Sequence, residues 1–300
     1  MTDNLRAAGM MTVALLLLTI SDAIIKLISV SLPLSQIIVL RNGLIVLALL
    51  AVLARRRAAW QMSRRDWSLV LLRAVGEIGA AWFYLYALVR MPFANVVAVL
   101  QSTPLVVTLG AALFLGEAVG WRRLLAILAG FLGVLMIVRP GTDAFDVSAI
   151  YVLISVLFVA LRDLCTRRLS AGVSSLTVTT ISAAAVMAVF AVTSGADPWQ
   201  PASPGLLTLV ALTAGLVLLS YLAIIEAMRR GEISFVSPFR YTSLIWALIA
   251  GLMLFGEWPR LMTLAGAAVI VASGLFTLYR EARAGRRRPV AAAVGPEMRP

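Results

Sequence analysis

Ten times along this chain, a run of roughly twenty mostly apolar residues is closed off by arginines, glycines or prolines. Coiled at ~1.5 Å per residue, such a run matches the ~30 Å hydrocarbon core of a bilayer. Composition agrees, because 61% of the 300 residues are hydrophobic and 13% are charged. Soluble domains carry about 25% charged residues. Too little polar material remains to cover a water-facing surface, so the solvent is lipid. An all-α integral membrane protein is expected, since a bilayer offers no partner for unpaired backbone groups.

The runs predict spans near 7–29, 34–54, 68–89, 94–115, 121–139, 148–161, 174–194, 205–227, 234–255 and 261–279. The sixth is the weakest: Arg162 and Asp163 interrupt its apolar run, which otherwise extends to about 169. The amino terminus has no small-residue cleavage site after a short apolar core, so it reads as a retained first span. Orientation follows from the 26 basic residues. Nineteen lie in segments on the side of the amino terminus, Arg162 among them. Only Arg90, Arg139 and Arg260 lie on the other side, and Lys26, Arg41, Arg73 and Arg240 lie within spans. The positive-inside rule then puts both termini in the cytoplasm and makes the span number even.

This distribution also explains the net charge of +12 without nucleic acid, because the arginines fall in short clusters between spans rather than on one face. One cysteine, Cys165, excludes an intrachain disulfide, and the absence of histidine removes the commonest metal ligand. The acidic stretch GTDAFD, 141–146, reads as a connector rather than a metal loop. No GxxxxGK[ST] signature is present to bind a nucleotide. Scattered carboxylates form no catalytic constellation, so no enzyme activity, metal or cofactor is expected.

One ending occurs twice: TLGAALFLGE at 108–117 and LIAGLMLFGE at 248–257. An offset of 140 places Glu117 on Glu257, and an offset of 141 places Asp22 and Lys26 on Asp163 and Arg167. Two regions agreeing on nearly one offset point to a duplicated unit, 1–140 and 141–280, followed by a basic tail, 281–300, read as a disordered cytoplasmic segment. A unit of five spans is odd in number, so its second copy enters the membrane from the opposite side. Inverted copies can expose one central site alternately to either face. The plainer alternative is that Gly-Glu merely ends a helix and leaves a charge at the interface.

These features resemble the EamA branch of the drug/metabolite transporter superfamily. The residues that carry the likeness are STPLVVTLGAALFLGE closing the fourth span, GFLGVLMIVRPG in the fifth and Arg41 early in the second. The resemblance covers 5–280 and is strongest to bacterial exporters of aromatic amino acids. It implies ten transmembrane helices in two inverted repeats around a central cavity, and secondary transport by alternating access. One departure is visible: Leu244 stands where the first copy has Pro104, and Pro238 comes earlier.

Charged and polar residues inside spans are costly, so each needs a reason. Asp22, Lys26 and Arg41 are candidates for an outer gate or for coupling, although Lys26 also reads as a snorkelling side chain. Arg73 and Glu77 stand four apart and read either as a self-neutralising pair or as a protonatable site. Glu226 with Arg229 and Arg230 reads as an interface pair. Pro104 and Pro238 are expected to bend the fourth and ninth spans. Substrate-binding candidates are Asn42, Tyr84, Gln101, Ser102, Phe239, Arg240 and Tyr241, with Gln101 and Tyr241 equivalent by the repeat. Trp82 and Tyr86 join them or belong to an aromatic interface belt. Such walls suit small amphipathic zwitterions such as aromatic amino acids, with organic cations as the second reading. Gly130, Gly133, Gly266 and Gly274 suggest close helix packing and a possible homodimer through the fifth and tenth spans.

Overall fold

The computed structural model describes residues 2–56, 62–117, 120–140, 146–170, 172–195 and 198–285. Their helices are α1 (Thr2–Ile28), α2 (Leu34–Arg56), α3 (Arg64–Arg90), α4 (Phe93–Leu100), α5 (Thr103–Leu115), α6 (Trp121–Val138), α7 (Ser148–Arg168), α8 (Ser175–Thr193) and α9 (Pro204–Arg230). The ninth run is built in three pieces: α10 (Ile233–Val236), a 3₁₀ turn (Ser237–Tyr241) and α11 (Thr242–Phe255); α12 (Leu261–Gly285) follows. No strand occurs among the described residues. Ten segments are long and apolar enough to cross a membrane.

Differences from the expected boundaries have local causes. α1 begins at Thr2, with Asp3 in its first turn, where a carboxylate favours the positive end of the helix dipole. α3 begins at Arg64 because Ser63 caps it: its Oγ accepts from Asp66 N at 3.0 Å and donates to Asp66 Oδ2 at 2.7 Å. α7 runs through Arg162 and Asp163 to Arg168, since those charges are paired rather than solvated. Arg162 is therefore an intramembrane residue and not a loop charge. α12 continues to Gly285, past the expected end, while the rest of the tail and the connector at 141–145 lie outside the described residues.

The most extensive packing joins α3 to α7, α1 to α9 and α6 to α12, followed by α2 to α8. Each of these pairs one helix from the first half of the chain with one from the second. Glycines permit the close approaches. A Cβ on Gly76 would lie 2.9 Å from Arg162 N, and one on Gly133 would lie 2.7 Å from Gly266 O. Small residues bring helices together in lipid, where no hydrophobic force does so. The glycine faces of α6 and α12 thus meet within one chain, which removes the ground for a dimer through them.

The apolar core is uneven along the bundle. The main cluster gathers Ile25, Ile28, Leu88, Phe93, Val138, Val152, Phe190 and Ile270 near the end opposite the amino terminus. Towards the amino-terminal end there are two smaller clusters, Ala7–Met11–Leu15 with Ala227 and Val236, and Ile45–Leu49 with Ala214 and Val217.

Candidate transport site

Two spans are broken near mid-depth. Between α4 and α5, Gln101 and Ser102 keep near-helical angles, but Pro104 in the first turn of α5 lacks a backbone donor. In the ninth span the break is longer: Pro238 sits in the first turn of the 3₁₀ segment. With its proline earlier, the ninth span tightens into a 3₁₀ turn ahead of Leu244, which lies within α11. The two breaks touch, for Gln101 Nε2 donates to Arg240 O at 3.1 Å. Ser243 Oγ donates to the same carbonyl at 3.1 Å. Broken helices crossing near the middle of a bundle are where transporters place solutes, because unwound carbonyls are free to bind.

A charged belt joins α1, α3 and α7. Tyr84 Oη donates to Asp22 Oδ2 at 2.7 Å, linking α3 to α1. Asp22, Tyr221, Tyr84 and Glu77 are the ionisable groups around Arg41 of α2. Its Nε is buried without a hydrogen-bond partner. Glu77 stands between Arg73 Nη2 at 3.6 Å and Arg162 Nη1 at 3.5 Å. Arg162 Nε also donates to Asp163 Oδ1 at 2.8 Å. Arg73 donates to Thr166 Oγ1 at 3.0 Å and to Ser182 Oγ. A lone charge at the centre of a bilayer helix costs roughly 2.5–3.5 kcal/mol or more, so this pairing makes six charged side chains tolerable together.

Aromatic rings flank the belt. Trp82 stacks on Tyr86 with centroids 5.3 Å apart and tilts against Phe190 at 5.0 Å. Phe83 meets Phe158 at 5.8 Å, and the Arg90 guanidinium lies 4.8 Å from the Tyr86 centroid. These rings join α3, α7 and α8.

The remaining sequence candidates are placed as follows. Asn42 is buried on α2, and buried Ser102 donates to Val99 O at 2.7 Å. Phe239 packs with the Ala7–Met11 cluster, its ring 5.8 Å from that of Phe235. The Arg240 side chain is exposed. Tyr241 is buried, its ring over Gly274, and its hydroxyl has no partner. Asp22, Arg41, Glu77 and Tyr84 therefore come together, Gln101 meets Arg240, and Phe239 and Tyr241 stand apart from both groups. Glu226 and Arg230 pair at 2.5 Å on the surface, as expected.

Lys26 belongs elsewhere. Its Nζ donates to Glu257 Oε1 at 2.8 Å and to Met91 O at 2.6 Å, 4.9 Å from the Phe255 centroid. Glu257 Oε2 accepts from Phe93 N at 2.5 Å. Sequence reasoning passed over Glu257, Arg162 and Tyr221 as site residues. The first two had a signal: Glu257 ends a repeated motif, and Arg162 adjoins the residue that the offset aligns with Asp22.

Against known proteins, the EamA-like transporter family pattern matches residues 5–139 and 147–279. The pseudopaline exporter CntI of Pseudomonas aeruginosa is 30% identical over 288 residues, covering 90% of this chain and 96% of that protein. A riboflavin transporter of Vibrio cholerae is 27% identical over 262 residues, covering 87% and 88%. An S-adenosylmethionine uptake transporter of Rickettsia felis is 27% identical over 205 residues, covering 68% and 69%. None of these three is an aromatic amino acid exporter by name. A solved crystal structure superposes with a TM-score of 0.60 at 19% identity, covering 93% of this chain and 98% of the other, and so supports the fold. A pattern matched along nearly the whole chain and ten membrane-length helices together place this protein in the EamA-like transporter family, as a multi-pass membrane transporter.

Proposed function

We propose that the protein is a secondary transporter in a bacterial inner membrane, exporting aromatic and other amphipathic amino acids and related zwitterionic metabolites. Its two halves work as inverted repeats around one site, with both termini in the cytoplasm. The observation that carries the substrate class is the belt of Asp22, Arg41, Glu77 and Arg162. It balances acids against bases beside aromatic rings, and Arg41 keeps a buried donor unsatisfied. A carboxylate answers Arg41, an ammonium answers Asp22, and a ring or apolar tail answers the aromatic walls. The named relatives handle riboflavin, S-adenosylmethionine and pseudopaline, so the family admits polar metabolites of several kinds. Moving Arg162 from loop to span leaves eighteen basic residues on the amino-terminal side against three, which still supports cytoplasmic termini.

Organic cations form the second reading. They call for a membrane carboxylate free to pair with them, whereas Glu77 is held between two arginines. Counterflow into proteoliposomes tests the choice, using tryptophan, phenylalanine, riboflavin, S-adenosylmethionine and a quaternary ammonium compound, with and without a pH gradient. Tryptophan or phenylalanine is expected to exchange and to compete. Exchange of the quaternary ammonium alone, abolished by Glu77→Gln, would replace this reading with the second.

A further inference from the structure

The two Gly-Glu endings fold alike. Gly116 and Gly256 cap α5 and α11 with φ of 68° and 63°, a left-handed conformation that glycine adopts without steric cost. The next amides, of Glu117 and Glu257, reach back to Ala111 O at 3.2 Å and Gly251 O at 2.9 Å. Each glutamate is thereby held just beyond its helix, and each meets a base on a helix from the other half of the chain. Glu257 meets Lys26 of α1 at 2.8 Å, and Glu117 meets Arg167 of α7 at 3.5 Å. An offset of 140 aligns the two glutamates, and an offset of 141 aligns Lys26 with Arg167.

The pairs differ in how tightly they are made. Lys26 and Glu257 are 13% and 23% exposed, and the same carboxylate accepts from Phe93 N. Arg167 and Glu117 are 43% and 44% exposed, and their ion pair stands at the limit of a hydrogen bond. The apolar clusters lean the same way: among the described residues the main one lies towards the Glu257 end, and two smaller ones lie towards the amino-terminal end.

We infer that Lys26–Glu257 and Arg167–Glu117 are reciprocal gate latches, positioning residues that hold the passage shut at one end while the other is released. Here the Glu257 latch is made and the Glu117 latch is slack, so the site faces the amino-terminal side. The inference rests on the alternating-access reading. Opening the Glu257 end breaks the Lys26 pair, frees Met91 O and Phe93 N, and tightens the Glu117–Arg167 pair where α5 already rests on α7 through Arg168 and Phe114 O.

Thiol labelling of the full chain in membranes tests this. The reporter is Ala81→Cys, on the Glu77–Tyr84 face of α3, in a Cys165→Ser background; Trp258→Cys marks the Glu257 side. The reporter is expected to react with an impermeant maleimide mainly from the Glu117 side. Glu257→Gln should raise reaction from the Glu257 side on the order of 10-fold, as fits loss of a charge-assisted hydrogen bond. Glu117→Gln should lower that reaction, by roughly 2-fold, as for a more exposed pair. The swap Lys26→Glu with Glu257→Lys should recover part of the parental pattern through the ion pair alone, since lysine at 257 cannot accept from Phe93 N and glutamate at 26 cannot donate to Met91 O. No recovery would overturn the pairing. Glu257→Gln without effect, or both variants shifting labelling the same way, would overturn the latches while leaving alternating access intact. A parental reporter equally reactive from both sides would overturn alternating access itself. Thermal melting gives a second measure: Lys26→Gln with Glu257→Gln should melt no lower than the worse single variant, and fully additive losses would contradict coupling.

Discussion

A buried hydroxyl left without a partner costs roughly 1–3 kcal/mol, and Tyr241 carries one. Its ring occupies the space left by the missing side chain of Gly274, where a Cβ would overlap the phenol. Gly274→Ala is therefore expected to destabilise by about 1–3 kcal/mol through overpacking, read as a lower Tm in detergent. Tyr241→Phe should leave Tm unchanged or raise it. If that variant nonetheless loses transport, the hydroxyl finds its partner in another conformation of the cycle. At Arg41 the expectation is functional. Arg41→Lys keeps the charge but loses the planar fork that meets a carboxylate. Counterflow of carboxylate-bearing substrates should fall by roughly 10–100-fold, the range for a hydrogen bond to a charged group, and a substrate without a carboxylate should lose much less.

At the scale of elements, the two broken spans matter most. Pro238 holds the ninth span in a 3₁₀ turn, and α11 restarts at Thr242. Pro238→Ala restores a backbone donor and lets the helix run on. Tm is expected to hold or rise while turnover falls several-fold; an unchanged turnover would show that the break has no part in transport. The breaks, the ten spans and the Gly-Glu caps were legible in the sequence because proline, glycine and run length act locally. The joint of Lys26 with Glu257 was not, since it spans 231 residues and depends on how α1 meets α11. Arg162 was misread for a related reason. A charge ends a span when water must solvate it, but here Glu77 and Asp163 do so from within the bundle. Phe239 and Tyr241 lie in a stretch with the right residue types, yet the twist of the 3₁₀ turn sends their rings towards α1 and α12 rather than to the charged belt.

For the whole molecule, the pattern of helix pairs carries the argument. α3 with α7 and α1 with α9 exchange places when the two halves are interchanged, and α6–α12 and α2–α8 map onto themselves. That pattern supports two related halves packed about a shared axis, and the uneven core supports a state open at one end. The central claim is that the two ends open in turn. Pulsed electron-spin distance measurements across both ends test it most directly, in Cys165→Ser protein reconstituted in lipid. One spin pair is Val30→Cys with Trp258→Cys, and the other is Phe114→Cys with Arg229→Cys. On adding a transported substrate, the Val30–Trp258 distance is predicted to lengthen in the same fraction of molecules in which the Phe114–Arg229 distance shortens. Two distances that stay fixed while transport proceeds, or that lengthen together, would contradict the account.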